Sequence, residues 1–230
     1  MPVLTPLERE ALHLSLLVSG WAVAGSLPPG LLAAWVLARL RFPGKTLLDG
    51  LVHLPLVLPP VVVGYALLVL LGLNGPIGSR LHAWFGITLA FTWKGAAVAS
   101  AVVAFPLMVR AMRLSLESVD HGLEQAARTL GCGPLRTFFT ITLPLVLPGV
   151  LTGAILGFAR SLSEFGATIT FVSDIPGETR TLPIALYALI QTPGGDDAAA
   201  RLCVISIVVA LAALLASDLL ARRLKRRLEG

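Results

Sequence analysis

The sequence is short of charged residues. Only 13% of its 230 residues are Asp, Glu, Lys or Arg, whereas a soluble globular protein carries about 25%. Hydrophobic residues make up 56%, and the mean hydropathy is +0.84. So few charges cannot cover a water-facing surface, which excludes a soluble cytosolic enzyme, a secreted disulfide scaffold and a nucleic-acid-binding domain. The composition predicts a protein that lies in lipid.

Motifs for metal, redox or nucleotide chemistry are also missing. Cys132 and Cys203 match no metal or redox spacing, and the four histidines are scattered along the chain. The Gly-Lys-Thr run at 44–46 resembles the end of a P-loop, but Arg39 stands where that motif requires glycine. We therefore expect no cofactor, no metal site and no ATP hydrolysis by this chain, which is predicted not to be an enzyme.

Long uncharged runs predict how the chain crosses the membrane. A spanning helix needs about 20 mainly apolar residues, and the gaps between charges give five spans, at 11–38, 50–79, 81–109, 137–159 and 202–217. A shorter run at 181–195, containing Pro183 and Pro193, predicts a re-entrant or interfacial half-helix. The runs lack the two-residue alternation of a membrane barrel, so helices are expected. The predicted fold class is an all-α polytopic membrane protein with one domain over 1–230.

The distribution of Lys and Arg predicts the orientation. When the loops are assigned to alternate sides, twelve of the 18 basic residues lie on one side, in the segments 39–45, 110–136 and 222–227. The positive-inside rule places that side in the cytoplasm. Five spans then put the N-terminus outside and the C-terminus inside. The net charge of +5 is thus interpreted as a topology signal rather than as a nucleic-acid surface.

The cytoplasmic loop between the third and fourth spans predicts a short amphipathic helix. Asp120 can cap it, Glu124 lies in its first turn where negative charge suits the helix dipole, and Gly131 can end it. One narrow apolar face is formed by Leu123, Ala126, Ala127 and Leu130. The periodicity leaves open whether this face meets a partner, packs on the chain's own bundle or lies on the membrane.

The same loop resembles the EAA loop of ABC importer permeases. The family pattern is matched by Ala126-Ala127, Gly131, Ile141 and Leu143-Pro144 at the family's spacings, while Gln125 takes the slot of the first glutamate and Glu124 stands one place earlier. The resemblance implies a MetI-like permease fold whose loop at 120–136 docks on a separate ATPase subunit. The residues it implies for that contact are Leu123, Glu124, Gln125, Ala126, Ala127, Leu130 and Gly131.

Four further runs resemble the molybdate branch of this family. They are Phe-Pro-Gly-Lys at 42–45, His-Leu-Pro-Leu-Val-Leu-Pro-Pro at 53–60, Ser-Glu-Phe-Gly-Ala-Thr at 163–168 and Leu-Ile-Gln-Thr-Pro-Gly-Gly at 189–195. Sulfate and thiosulfate permeases share the first two types of element and are the alternative. The resemblance implies a multi-pass permease of the bacterial cytoplasmic (inner) membrane that carries molybdate, or the similar tungstate. Its implied partners are a second copy of itself, two ATPase subunits, an extracytoplasmic molybdate-binding protein and membrane lipid.

The translocation pathway has weaker signals. Pro59 and Pro60 interrupt the second run and either shape the pathway or only kink a packed helix. Three hydroxyl side chains near the end of the fourth span, Ser163, Thr168 and Thr170, offer uncharged donors to a permeating anion. Glu164 lies four residues after Arg160, so the two are expected to pair at the outer end of that span.

Two functions of other classes stay open as alternatives. A structural membrane anchor predicts unbroken apolar spans, whereas these spans contain many prolines and hydroxyl side chains. An ion-coupled secondary transporter predicts ionisable groups within the membrane and internal repeats, and neither is evident in this short chain.

Overall fold

The computed structural model describes residues 4–229, with side chains at 4–120 and 122–216. The described part is helical: α1 Pro6–Arg39, α2 Lys45–Val57, α3 Pro60–Leu71, α4 Gly78–Phe85, α5 Trp93–Glu117, α6 His121–Thr129, α7 Pro134–Thr137, a π-helical turn Phe138–Thr142, α8 Leu143–Leu162, α9 Gly166–Val172, α10 Leu182–Ile190 and α11 Asp196–Glu229. The side chains of the basic cluster at 222–227 lie outside the described residues.

Four helical stretches in the described part are long and apolar enough to cross a membrane. They are α1, α5, the continuous stretch Pro134–Leu162 and the first part of α11, Asp196–Ala216. Together α2 and α3 form a fifth candidate, which is bent by 113° at its break. Proline ends α2 because it cannot donate a helical hydrogen bond and restricts the residue before it, and Pro59 and Pro60 stand at the break.

Polar contacts group the helix ends at one side of the bundle. Arg39, the last residue of α1, lies 2.9 Å from Glu124 of α6. Asp49, near the start of α2, accepts a hydrogen bond of 3.0 Å from Arg113, near the end of α5. The ends of α1 and α5 therefore share one side with the start of α2 and with α6.

The opposite side collects the helix starts. Glu8 in the first turn of α1 lies 3.2 Å from Arg201 in the first turns of α11, and the backbone N–H of Trp93, which begins α5, donates to Glu178 at 3.2 Å. Because α1 and α5 run in the same direction, the segment from α2 to α4 returns across the bundle between them. The predicted count of about five crossings is confirmed, with the second one broken.

The core is built around α5. Its Met108, Met112 and Leu116 are fully buried against Leu37 of α1 and Val146 of α8. Gly157 of α8 faces Met108 so closely that an added Cβ would collide with the methionine side chain. Small residues at such crossings let membrane helices approach one another closely.

Three of the predicted elements differ from those in the structure. The run at 50–79 is not one straight span, since it breaks at Pro59 and ends with Leu71. The third span begins at Trp93 rather than near 81, because Gly86 adopts a left-handed conformation (φ +65°) that ends the short helix α4. The predicted half-helix at 181–195 is α10, which ends at Ile190, whereas α9 was not predicted.

Candidate functional site

The predicted loop helix is present as α6. The Asp120 carboxylate accepts a hydrogen bond of 2.7 Å from the backbone N–H of Gly122 and so caps the first turn. Gly131 follows the last turn with φ +86°, and its N–H donates to the carbonyl of Arg128 at 3.0 Å. Since L side chains rarely adopt this conformation, the glycine is what lets the chain turn away at this position.

Most of the apolar face of α6 is exposed. Leu130 is 84% exposed, Leu123 is 49% exposed, and Ala126 is also exposed, whereas Ala127 is buried at 6%. Packing on the chain's own bundle therefore accounts for one of the four face residues. We use the term coupling face for the exposed residues among those predicted to contact an ATPase subunit, which are Leu123, Gln125, Ala126, Leu130 and Gly131.

Glu124 does not belong to this exposed set. Its Oε1 atom accepts hydrogen bonds from Arg39 Nη2 at 2.9 Å and from Thr142 Oγ1 at 2.7 Å. The side chains of Arg39 and Glu124 are 9% and 15% exposed. The carboxylate predicted to face an ATPase subunit thus binds the end of α1 and the π-helical turn before α8.

The contacts of Arg39 and Thr142 were not predicted from the sequence. The signal was the displaced glutamate, since Glu124 stands one residue before the family slot that Gln125 occupies. One residue turns the side chain by about 100° around an α-helix. That rotation moves the carboxylate from the exposed face toward the spans.

The second candidate region lies at the other end of the fourth span. Glu164 is 2% exposed, and its Oε2 lies 2.7 Å from Arg160 Nη1. The predicted pair at the end of this span is therefore present. The Oε1 atom of Glu164 also accepts a hydrogen bond of 2.8 Å from the N–H of Ala167, so the carboxylate holds the first turn of α9 as well.

The structure brings the proline break against this segment. A Cβ at Gly64 of α3 would lie 2.5 Å from the carbonyl oxygen of Ala167 and 2.9 Å from Cβ of Thr170. A Cβ at Gly166 would lie 3.0 Å from Cβ of Pro60. Two of the predicted pathway segments, one at the start of α3 and one in α9, are thus in direct contact, and Pro59 is exposed beside them.

The three predicted hydroxyl groups donate to local backbone carbonyls. Each hydroxyl bonds a carbonyl three or four residues earlier, at 3.1 Å for Ser163 and 2.8 Å for both Thr168 and Thr170. Ser163 is exposed, Thr170 is partly buried and Thr168 is buried. An anion would therefore have to compete with a carbonyl for each of these hydrogens.

Residues 27–230 match the model of the family of binding-protein-dependent transport system inner membrane components. The match covers most of the chain, and the chain therefore belongs to this family. It is accordingly a multi-pass protein of the inner membrane, and the family confirms the class of protein that the EAA-like loop indicated.

Two individual members of the family are similar to this chain over most of its length. The chain is 65% identical over 225 residues to the molybdenum transport system permease protein ModB of Escherichia coli strain K12, covering 98% of each protein. It is 39% identical over 203 residues to the sulfate transport system permease protein CysT of Salmonella typhimurium, covering 87% of this chain and 72% of that one.

Solved structures confirm the fold. A bacterial ABC transporter involved in the import of the acidic polysaccharide alginate has a TM-score of 0.75 to this chain. The alignment covers 96% of this chain and 80% of that one at 19% sequence identity. Since sequence identity is this low, the likeness concerns the helical architecture alone, which is that of an ABC importer permease.

Proposed function

We propose that the chain is the membrane-spanning permease subunit of an ATP-driven importer that moves molybdate, or the similar tungstate, into the cytoplasm. The observation that carries the proposal is the 65% identity to a molybdenum transport system permease over nearly the whole chain. The 39% identity to a sulfate permease makes sulfate or thiosulfate the second candidate cargo. These oxyanions have similar shape and charge, so the cargo is argued from the relatives rather than from the helices.

The coupling face supports the proposed contact with an ATPase subunit. It presents two large apolar side chains, Leu123 and Leu130, and a small one, Ala126, in a loop expected on the cytoplasmic side. An exposed apolar stripe on a short helix is a surface that fits a groove of another protein. In the proposal, the loop at 120–136 docks on a separate subunit that hydrolyses ATP.

A pair of these chains forms the pathway in this proposal, because five crossings are too few to enclose an alternating-access route. ATP binding closes two ATPase subunits, draws the two α6 helices together and opens the pathway outward, toward an extracytoplasmic binding protein loaded with the oxyanion. Hydrolysis resets the arrangement. The prediction of an outside N-terminus belongs to this proposal, since it places α6 in the cytoplasm.

The cargo is tested by uptake of labelled oxyanions. Cells with and without this chain are compared at low concentrations of molybdate and sulfate, with the gene returned on a plasmid as the control. Loss of molybdate uptake alone supports the proposal. Loss of sulfate uptake alone moves the chain to the sulfate branch, and no change in either uptake overturns the assignment of cargo.

Two glycines provide a matched test of the coupling loop. Gly131 has φ +86°, whereas Gly133 has φ −65°, and a Cβ would meet no atom within 4 Å at either position. We expect Gly131→Ala to misplace α6 and lower both ATPase-subunit capture and uptake, while Gly133→Ala keeps both. Equal behaviour of the two variants would contradict the docking role of this loop.

The proposed pathway includes the break at Pro59 and Pro60 and the hydroxyl groups of Ser163, Thr168 and Thr170. The contact of α3 with α9 supports it, because this contact joins the two segments. Thr152, an exposed residue of α8 that also donates to a local carbonyl, is the control. Uptake that is lowered in Ser163→Ala and Thr168→Ala but not in Thr152→Ala supports the hydroxyl role, and unchanged uptake removes it.

A further inference from the structure

We propose that Glu124, Arg39 and Thr142 form a latch that fastens the loop helix α6 to two membrane spans, so that movement of α6 moves both spans together. Glu124 is then a positioning residue rather than part of the contact with an ATPase subunit. This inference rests on the proposed coupling function and adds the route by which motion enters the membrane.

The geometry of the latch joins three elements at one atom. Arg39 ends α1, Glu124 lies in the first turn of α6, and Thr142 ends the π-helical turn that leads into α8. Both donors bind the same carboxylate oxygen, Oε1, at 2.9 Å and 2.7 Å. Hydrogen bonds to an ionised group are shorter and stronger than neutral ones, so this oxygen is a firm point of attachment.

The latch is needed because α6 has little other side-chain packing on the bundle. Within the described side chains of α6, only Ala127 is buried, and the rest are exposed apart from Glu124 itself. A helix held by one alanine would tilt under load instead of moving the spans. The latch supplies the stiff connection, since both partner side chains are largely shielded from water: Arg39 is 9% exposed, and Thr142 as a residue is 2% exposed.

The π-helical turn strengthens this interpretation. It occupies Phe138–Thr142, directly between α7 and α8, and the Thr142 hydroxyl that bonds Glu124 is at its last residue. A π-turn inside an α-helix rotates the residues that follow it and is frequent at functional sites. Here the turn lies at the point where the Thr142 side chain faces the loop helix, and α8 continues from it into the core.

The test uses the span-side residues, which lie outside the coupling face. The complete transporter, with this chain, its ATPase subunits and its binding protein, is reconstituted in vesicles. Molybdate transported is then measured per ATP hydrolysed for wild type, Arg39→Gln and Thr142→Val. We expect this ratio to fall about tenfold in Arg39→Gln, the change that loss of one charge-assisted hydrogen bond produces in an equilibrium, and by less in Thr142→Val.

Control and rescue variants separate a latch from a merely structural role. Glu117→Gln removes an exposed carboxylate at the same end of the bundle and is expected to keep the wild-type ratio. Exchange of the two charges, Arg39→Glu with Glu124→Arg, is expected to recover part of the ratio that either single change loses. Thr142→Val conserves shape and both charges, so it remains informative if Arg39→Gln fails to assemble.

The outcomes distinguish the latch from the proposed function itself. Wild-type complex that transports no molybdate contradicts the proposed function, whatever the variants do. If the wild-type complex transports molybdate, and if both Arg39→Gln and Thr142→Val transport as much molybdate per ATP as wild type, the latch alone is overturned. Reduced assembly with an unchanged ratio in the assembled fraction also overturns it, because a latch alters coupling and not only the amount of complex.

Discussion

The two Arg–Glu pairs at opposite ends of the fourth span use the same chemistry over very different distances in the chain. Arg160 lies in the last turn of α8 and Glu164 four residues later, in the break before α9; the two are 2.7 Å apart, and Glu164 holds the start of α9. Arg39 and Glu124 are 85 residues apart, at 2.9 Å, and join a span to a loop. The first pair orders one local turn, whereas the second connects two helices that are far apart in the chain.

We expect this difference to decide which property a variant changes, the stability of the chain or the amount of transport per ATP. The local pair sets the geometry of the chain segment that leads from α8 into α9. The long-range pair attaches the loop helix α6, so under the proposed function we expect its loss to have a smaller cost to folding and a larger cost to coupling. We therefore expect changes at the Glu164 end to act mainly on the stability of the chain, and changes at the Glu124 end to act mainly on transport per ATP.

The largest effect on stability is expected at Glu164. Glu164→Leu leaves Arg160 without its ion-pair partner and the N–H of Ala167 without its hydrogen-bond acceptor, which costs about 3 kcal/mol in the free energy of unfolding. Thermal unfolding of the purified chain in detergent measures it. Glu117→Leu, at an exposed carboxylate, is the control, and equal losses in both variants would contradict the buried role of Glu164.

The second-largest effect on stability is expected where α3 packs on α9. Gly64→Ala places a methyl group against the Ala167 carbonyl oxygen, and overpacking of this kind costs about 2 kcal/mol. Gly50→Ala in α2, where a Cβ meets no atom within 4 Å, is the matched control and is expected to be neutral or slightly stabilising. If the two variants unfold at the same temperature, α3 does not rest on α9 at this glycine.

The more exposed ion pair of Asp49 and Arg113 is expected to contribute less to the stability of the chain than the pair of Arg160 and Glu164. Asp49 and Arg113 join α2 to α5 at 3.0 Å, with side chains 37% and 26% exposed. Asp49→Asn is expected to cost no more than about 1 kcal/mol, and the difference from wild type should shrink at high salt because exposed charges are screened. A large, salt-independent loss would show that this pair is shielded like the Glu164 pair.

The smallest effect on stability is expected on the coupling face. Leu130 is 84% exposed, so Leu130→Gln should change the free energy of unfolding by less than about 0.5 kcal/mol. The same change is expected to lower capture of the ATPase subunit, because it removes an apolar anchor from the proposed contact. A clear loss of stability would instead indicate that this face packs against the chain itself.

Much of the architecture could be predicted from the sequence because lipid imposes simple rules. Uncharged runs located α1, α5, α8 and α11, and the capping Asp120 and turning Gly131 located α6. The Arg160–Glu164 pair was also predicted, since residues four apart face each other on a helix. Each of these features depends on neighbours within a few residues, which is why periodicity and spacing were sufficient.

The features that were missed depend on contacts between distant segments. An interruption at Pro59 and Pro60 was predicted, but its sharpness of 113° and the short helix α9 were not. Both depend on the packing of α3 against Ala167 and Thr170. The role of Glu124 depends on Arg39 and Thr142, which lie 85 and 18 residues away. Local spacing shows that Glu124 stands one residue before the family slot, but it does not identify Arg39 and Thr142 as its partners.

The sequence by itself determined that the chain is a helical membrane protein with about five crossings, because composition and helix signals act locally. The resemblance of its loop to the EAA pattern indicated the ABC importer permease class. The tertiary structure decided how that loop is attached. It showed that Leu130 remains exposed while the neighbouring carboxylate turns inward to Arg39. An exposed face and a buried ion pair on one helix can be distinguished only after the spans have packed, because burial is a property of the whole bundle.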